Sequence, residues 1–220
     1  AALGAALAAS IGTGRAFNLH SIRAKELRPG LRPEHVAAVR AALLASEARV
    51  GGAYDGSPEL HFEPAAARGG DFTLGLPEGV PATPLLMLLV PMLNGAPEVS
   101  RVEIEGSTHL AGAPLPEFLA GHVAALLSLA GFGVRIETVR AAYTAKGGGR
   151  LRAEIEPRAL AGRQLSLDDR GALTGVRIQA GASRLRRELA ERAAQTVTAT
   201  LWEARRLEVE SLVVAPESAS

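Results

Sequence analysis

Two stretches of this chain align without a gap: PEHVAAVRAALL, which starts at Pro33, and PEFLAGHVAALL, which starts at Pro116. Each puts proline at a first helical position and glutamate in the first turn, where the helix dipole favours a negative charge. Apolar residues then recur at helical spacing, Val36, Val39 and Leu43 in one copy and Leu119, Val123 and Leu126 in the other. A helix that returns with its own flanking context constrains the fold more than any single element does, because the two copies must then be similar units.

The likeness extends outward. Strand-like runs ARVGGAYDG and ELHFEP follow the first helix, and GVRIETVRAAY and RLRAEIEP follow the second. Ahead of each comes a helix and a strand, AALGAALAAS then AFNLHSIR, and TPLLMLLVPML then VSRVEIEG. The shared unit reads α-β-α-β-β, and DFTLGL ahead of the second copy extends it to β-α-β-α-β-β. The first copy starts in its helix, so its first strand is expected to be missing. The expected fold is α/β (α+β), tandem β-α-β-α-β-β repeats with helices on one face of each sheet. After Pro157 the pattern changes to strand, helix and strand, with Ser183 as the helix cap and Leu185, Leu189 and Ala193 on its buried face. Residues 1–157 are therefore read as two repeats of a core domain and 158–220 as part of a smaller inserted β-α-β domain.

Composition narrows the function classes. With 24 basic and 23 acidic residues the net charge is +1, so any anion site must be local. All the basic residues but Lys25 and Lys146 are arginine, which fits a GC-rich coding genome better than a specific phosphate role. No cysteine is present, which excludes disulfides and thiolate metal sites and makes a cytoplasmic location the default expectation. The apolar runs at the start and at residues 83–93 are too short to span a bilayer, the second being broken by Pro84 and Pro91, so no membrane partner is expected.

The segment SIRAKELRPGLRPEH carries Arg23, Arg28 and Arg32 into the first repeated helix, with a strand expected to end at Ile22 and Arg23. Two readings stay open. The arginines converge on free N–H groups at the helix start and hold an anion, or they point into water and solubilise a loop. Gly147, Gly148 and Gly149 read as a hairpin turn, since no helix follows them. Of the five histidines, His20, His61 and His122 read as strand or helix-edge residues. His35, in a first helical turn, and His109, in the glycine-flanked GSTHLAGAP, are the candidates for chemistry. No pair shows metal-ligand spacing, and no Walker loop, nucleophile elbow or zinc pattern occurs.

PGLRPEH running into AVRAA, ARGGDFTL, GSTHLAGAP and AAYTAKGGG together resemble the RNA 3'-terminal phosphate cyclase family. The last three are similar to its RGGDY segment, its G-G-T-[HD]-N-P-x-A-P loop and its R-G-x-x-P-x-G-G-G signature. The resemblance implies three β-α-β-α-β-β units with a smaller inserted α/β domain. It also implies ATP-dependent conversion of an RNA 3'-phosphate to a 2',3'-cyclic phosphate through a nucleotidyl-histidine, with Mg2+ assisting. By it, Arg23, Arg28, Arg32 and His35 would bind RNA or phosphate, and Thr108, His109, Ala113 and Pro114 the nucleotide. RNA 3' ends would be the partner, with a homodimer possible. The nucleophilic histidine belongs to the third repeat and matches none of the five here.

This sequence also departs from the family pattern. Gly4 stands where the family has an arginine in its first helix, and Glu26 where it has the second arginine of I-R-A-G-R. Pro77 to Pro81 replace G-x-A-G-S, Leu110-Ala111 replace Asn-Pro, and Ala141, Ala142 and Ala145 replace the R-G and P of the glycine signature. The alternative is therefore a catalytically silent relative that binds RNA or a protein partner.

Overall fold

The computed structural model describes residues 2–158, 166–169, 171–173, 175–181, 185–205 and 209–214. They fall into two compact units, Ala1–Arg163 and Gln164–Ser220. The first opens with α1 (Ala2–Thr13), β1 (Phe17–Leu19), α2 (Pro33–Ala45), β2 (Arg49–Gly51) and β3 (Leu60–Glu63). It continues with β4 (Gly70–Gly75), α3 (Ala82–Leu93), β5 (Ser100–Gly106), a broken helix, β6 (Gly133–Arg140) and β7 (Gly149–Glu156). The broken helix comprises α4 (Pro116–Phe118), a π-helical turn Leu119–Val123 and α5 (Ala124–Leu129). The α-β-α-β-β order expected twice from the sequence is the order observed.

Each repeat builds its own sheet. In the first, β3 lies between β1 and β2, antiparallel to both. Its alternation turns Leu60 and Phe62 inward, and the Phe17 ring stacks on Phe62 at 5.6 Å. In the second, the order is β4-β5-β7-β6, with β4 and β5 parallel across α3 and the remaining pairs antiparallel. Val102, Ile104, Leu151, Ala153 and Ile155 face the core from β5 and β7. The opposite face is an ionic ladder, where Glu154 meets Arg101 and Arg135, and Arg150 meets Glu103 and Glu105. Such exposed pairs keep the outer face solvated and add little stability each.

The helices α1, α2 and α3 pack on one another, and one continuous core joins both sheets to them. The expected stripe of α2 is only partly right. Val39 is fully buried, but Val36 and Leu43 are half-buried, and the closest packing runs through Ala38, Ala41, Ala42 and Ala45. Small side chains let neighbouring helices approach, which hydrophobic spacing alone does not reveal. In the second copy Leu119 is buried, whereas Leu126 is 47% exposed. The wider π-helical turn keeps residues four apart on one face, so Leu127 joins Val123 against the core in its place. Pro84 sits in the first turn of α3, where its missing N–H has no partner to lose, whereas Pro91 lies inside the helix and has no N–H to give the Met87 carbonyl.

The expected strand through Ile22 and Arg23 is not formed. β1 ends at Leu19, and Ser21 and Arg23 adopt left-handed backbone with φ of 53° and 52°. The chain turns here, with the Ile22 N–H taken by another loop and the Ser21, Ile22 and Arg23 carbonyls by Ala24, Gly30 and Glu26 of its own. The Ile22 N–H donates to Pro58, the Gly30 N–H to Ile22, the Leu31 N–H to Ser57 and the Gly56 N–H to Leu31. Gly30 has φ +87°, and a Cβ on it would sit inside the Gly56 carbonyl.

In the second unit β8 (Val176–Gly181) and β9 (Val209–Val214) pair in parallel and α6 (Arg187–Arg205) packs on both. The expected cap Ser183 lies outside the described residues. The face expected from Leu185, Leu189 and Ala193 is exposed, and Ala190 and Ala194 are buried instead. A helix against only two strands buries a narrow stripe, here made of small residues.

Gly30→Ala is expected to destabilise the protein by at least ~2 kcal/mol, from left-handed strain plus the overlap with Gly56. Urea midpoints of the two proteins check this; an unchanged midpoint would mean that the 20–31 loop is not held as described.

Candidate anion-binding cleft

A cleft of about 750 Å³ lies between the repeats. One side comes from α1 and the start of α2, including Gly4, Glu34 and His35. The other comes from α3 and from the loops that follow β4 and β5, residues 79–81 and 110–113. β4 and β5 are parallel, so this rim is the carboxyl end of a β-α-β unit, a favoured place for ligands in such sheets.

At the α2 end, Arg32 is the N-cap and its N–H donates to His35 Nδ1 at 3.0 Å, while the His35 N–H donates back to the Arg32 carbonyl at 2.9 Å. The reciprocal bonds leave the His35 proton on Nε2, so the ring borders the cleft as a donor. Burial lowers the His35 pKa, and the nearby Arg23 and Arg32 charges lower it further against the opposing pull of Glu34.

Arg23 is the less ordinary residue. Its side chain is 17% exposed. Nη1 donates to the Gly30 carbonyl at 3.2 Å, and Nη2 is buried with no hydrogen-bond partner. The nearest acid to Nη2 is Glu26, at 3.8 Å. A left-handed backbone and an unsatisfied guanidinium nitrogen coincide in one residue. Arg28 does not join the group; it is exposed on the outer turn. Of the four residues expected at phosphate, Arg23 and Arg32 lie near His35, and of these three only His35 lines the cleft.

The loop after β5 is held from several sides. Thr108 is fully buried, and its Oγ1 accepts the Ala142 N–H at 2.8 Å. His109 has a side chain only 6% exposed, with Nδ1 2.8 Å from Thr108 Oγ1 and Nε2 3.1 Å from the Glu117 carboxylate. The Tyr143 ring stacks on the imidazole at 4.5 Å. That hydrogen bond holds the Glu117 carboxyl below the usual carboxylate range. Ala113 lines the cleft, and the Pro114 carbonyl accepts from Thr83 Oγ1 at 2.8 Å.

The Thr108 and His109 side chains are thus committed inside the protein, and the loop offers the cleft residues 110–113. Glu117 and Tyr143 complete the group and were not singled out from sequence. Only the capping position of Glu117 was legible there. The three glycines do make a hairpin connection, and two of them have positive φ. Gly149 has a second reason to be glycine, since a Cβ on it would press on Thr108 and Ala142 at 2.8 Å.

Because the folded-state pKa of His35 is lowered, the unfolded chain takes up this proton first as pH falls. The stability linked to His35 is complete above about pH 6.5 and is lost below it, as pH falls towards the folded-state value. Relative to His35→Gln, which keeps an acceptor for the Arg32 N–H, the wild type should lose stability between pH 8 and 5. Denaturant midpoints of both proteins across that range check the sign.

The family model for RNA 3'-terminal phosphate cyclase matches residues 1–205. Among curated relatives, the RNA 3'-terminal phosphate cyclase of Pseudomonas fluorescens Pf-5 is 40% identical over 190 residues, 86% of this chain and 55% of that protein. The protein of the same name from Koribacter versatilis is 36% identical over 193 residues, 88% and 54% of the two chains. That from Caldivirga maquilingensis is 36% identical over 175 residues, 78% and 48%. The chain spans about half the length of these relatives. On the extent of these matches, the chain belongs to the RNA 3'-terminal phosphate cyclase family.

Proposed function

We propose that the protein to which this chain belongs converts an RNA 3'-phosphate to a 2',3'-cyclic phosphate with ATP, and that the cleft between the repeats takes part in holding the phosphates. In this reading a histidine nitrogen attacks the α-phosphorus of ATP and pyrophosphate leaves. The adenylyl group passes to an oxygen of the RNA 3'-phosphate. The 2'-hydroxyl then attacks that phosphorus, losing its proton and expelling AMP. None of the five histidines of this chain matches the family's nucleophile. His109 in particular has both ring nitrogens engaged within the protein.

The observation that carries the reading is Arg23. A buried guanidinium nitrogen without an acceptor is costly, and a phosphate oxygen beside α2 would satisfy it with a charge-assisted bond. Arg32 and the His35 Nε2–H are the further donors, since the backbone N–H groups of His35 and Val36 are already spent on the Arg32 carbonyl. These residues fit a phosphate group. Mg2+ fits less well, because among the described residues no three His, Asp or Glu side chains gather where they could share a metal.

One observation favours a silent RNA-binding relative as second reading. Glu26 lies 3.8 Å from Arg23 Nη2 and competes for the charge that a phosphate would use. Among the described residues no helix is long and apolar enough to cross a membrane.

The deciding experiment uses the full-length gene product with radiolabelled ATP and magnesium on a denaturing gel. A band stable to alkali and removed by acid or hydroxylamine is the expected result, accompanied by cyclisation of a 3'-phosphorylated oligonucleotide. Folded protein with neither label nor cyclised product would sink the cyclase reading and leave the silent relative. Arg23→Ala should weaken binding of that oligonucleotide about 10- to 100-fold and make the salt slope shallower by about one. Glu26→Gln should strengthen it. Equal binding by all three proteins would remove Arg23 from the phosphate site.

A further inference from the structure

The mouth of the cleft is shaped by residues 110–113, a short loop containing Gly112 at φ +84°. It has little hold of its own beyond one turn, in which the Ala113 N–H donates to the Leu110 carbonyl. Its position depends on what pins its ends. At the far end, Thr83 Oγ1 holds the Pro114 carbonyl. At the near end, the His109 N–H donates to the Ala142 carbonyl at 2.9 Å, and the His109 ring is clamped between Thr108 and Glu117.

We propose that Glu117 is a positioning residue for the nucleotide: acting through His109, it sets the 110–113 wall of the cleft. The argument is geometric. Glu117 occupies the first turn of α4, behind the loop, and does not line the cleft. It accepts from His109 Nε2 through both carboxylate oxygens, at 3.1 and 3.2 Å. With its proton on Nε2, the imidazole accepts the Thr108 hydroxyl at Nδ1, so a single tautomer satisfies both contacts. Thr108 Oγ1 is locked in turn by the Ala142 N–H. A carboxylate–imidazole–hydroxyl chain so ties the start of a helix to the β6–β7 connection, and the loop leaves from its middle member. The chain resembles catalytic triads in its bonding order, but its hydroxyl is fully buried and cannot act as a nucleophile. Its work is orientation, which matters because a small misplacement of a binding wall costs much of the affinity or rate.

This inference rests on the proposed use of ATP and on the nucleotide role that the family resemblance implies for Thr108, His109, Ala113 and Pro114, and the test separates the two. Amide hydrogen exchange and ATP binding are measured on full-length wild type, Glu117→Ala and Glu117→Gln. In Glu117→Ala, the amides of residues 110–113 should exchange about 10-fold faster while those of Ile104 and Leu151 keep their rates. ATP affinity should fall about 10-fold, with affinity for the 3'-phosphorylated oligonucleotide held within two-fold. Glu117→Gln should stay within about three-fold of wild type on each measure, since its amide oxygen still accepts the Nε2–H. Unchanged exchange in Glu117→Ala, exchange raised throughout the core, or a loosened loop with intact ATP affinity would each overturn the proposal. Should the wild type itself bind no ATP, the nucleotide reading falls and the positioning role falls with it. Loosening of the loop in Glu117→Ala would then show only that the tether exists.

Discussion

The contact on which the molecule depends is the meeting of α1, α2 and α3 through small side chains. Neither sheet can bury its inner face alone; the first has three short strands and the second four. The alanines of α2 let its neighbours come close enough for Leu7, Val39, Phe62, Leu86, Leu89 and Ile104 to share one core. Because the repeats join through helices, the cleft opens where α1 and the start of α2 face α3 and the loops that follow β4 and β5.

The two sides of the cleft are built by different means. On the α2 side, backbone does most of the work. The 20–31 loop is bound to residues 56–58 by reciprocal N–H to carbonyl bonds, with Gly30 and Gly56 in close approach. That sewing forces Arg23 into left-handed backbone and leaves one of its nitrogens without an acceptor. On the other side, side chains do the work, through Thr108, His109, Glu117 and Thr83. A rigid backbone suits the side that must hold charge against desolvation, while side-chain tethers leave the opposite wall adjustable by single groups.

The substitutions that separate this chain from its family pattern fall largely on this cleft. Gly4 lines it directly, Glu26 pairs with Arg23, and Leu110 and Ala111 form its wall. Ala142, by contrast, is buried, with its N–H spent on Thr108 and its C=O on Thr108 and His109. Alanine suits that position because Gly149 packs against its Cβ. The scaffold is therefore kept intact, and the departures fall on the lining of the cavity and on the partner of Arg23.

Much of the fold was legible from local pattern. Helix starts at Pro33 and Pro116, the sequence of helices and strands along each repeat and the turn at the three glycines follow from proline placement, period-two alternation and backbone freedom, all local properties. The errors share one cause. Val36 and Leu43 on α2, Leu126 after the π-helical turn and Leu185 and Leu189 near α6 fit a helical stripe equally well by spacing. Which stripe is buried was decided by the neighbour it met. The strand expected through Arg23 failed likewise, because the Ile22 N–H was claimed by Pro58, more than thirty residues away, and the carbonyls by turns within the loop itself. The sequence by itself determined the repeated unit, its helix starts and the candidate arginines and histidines. Only the tertiary structure decided that Arg23 and Arg32 gather at His35 while Arg28 does not, and that His109 is held by Glu117, since both depend on contacts between segments whose separation leaves no periodic trace.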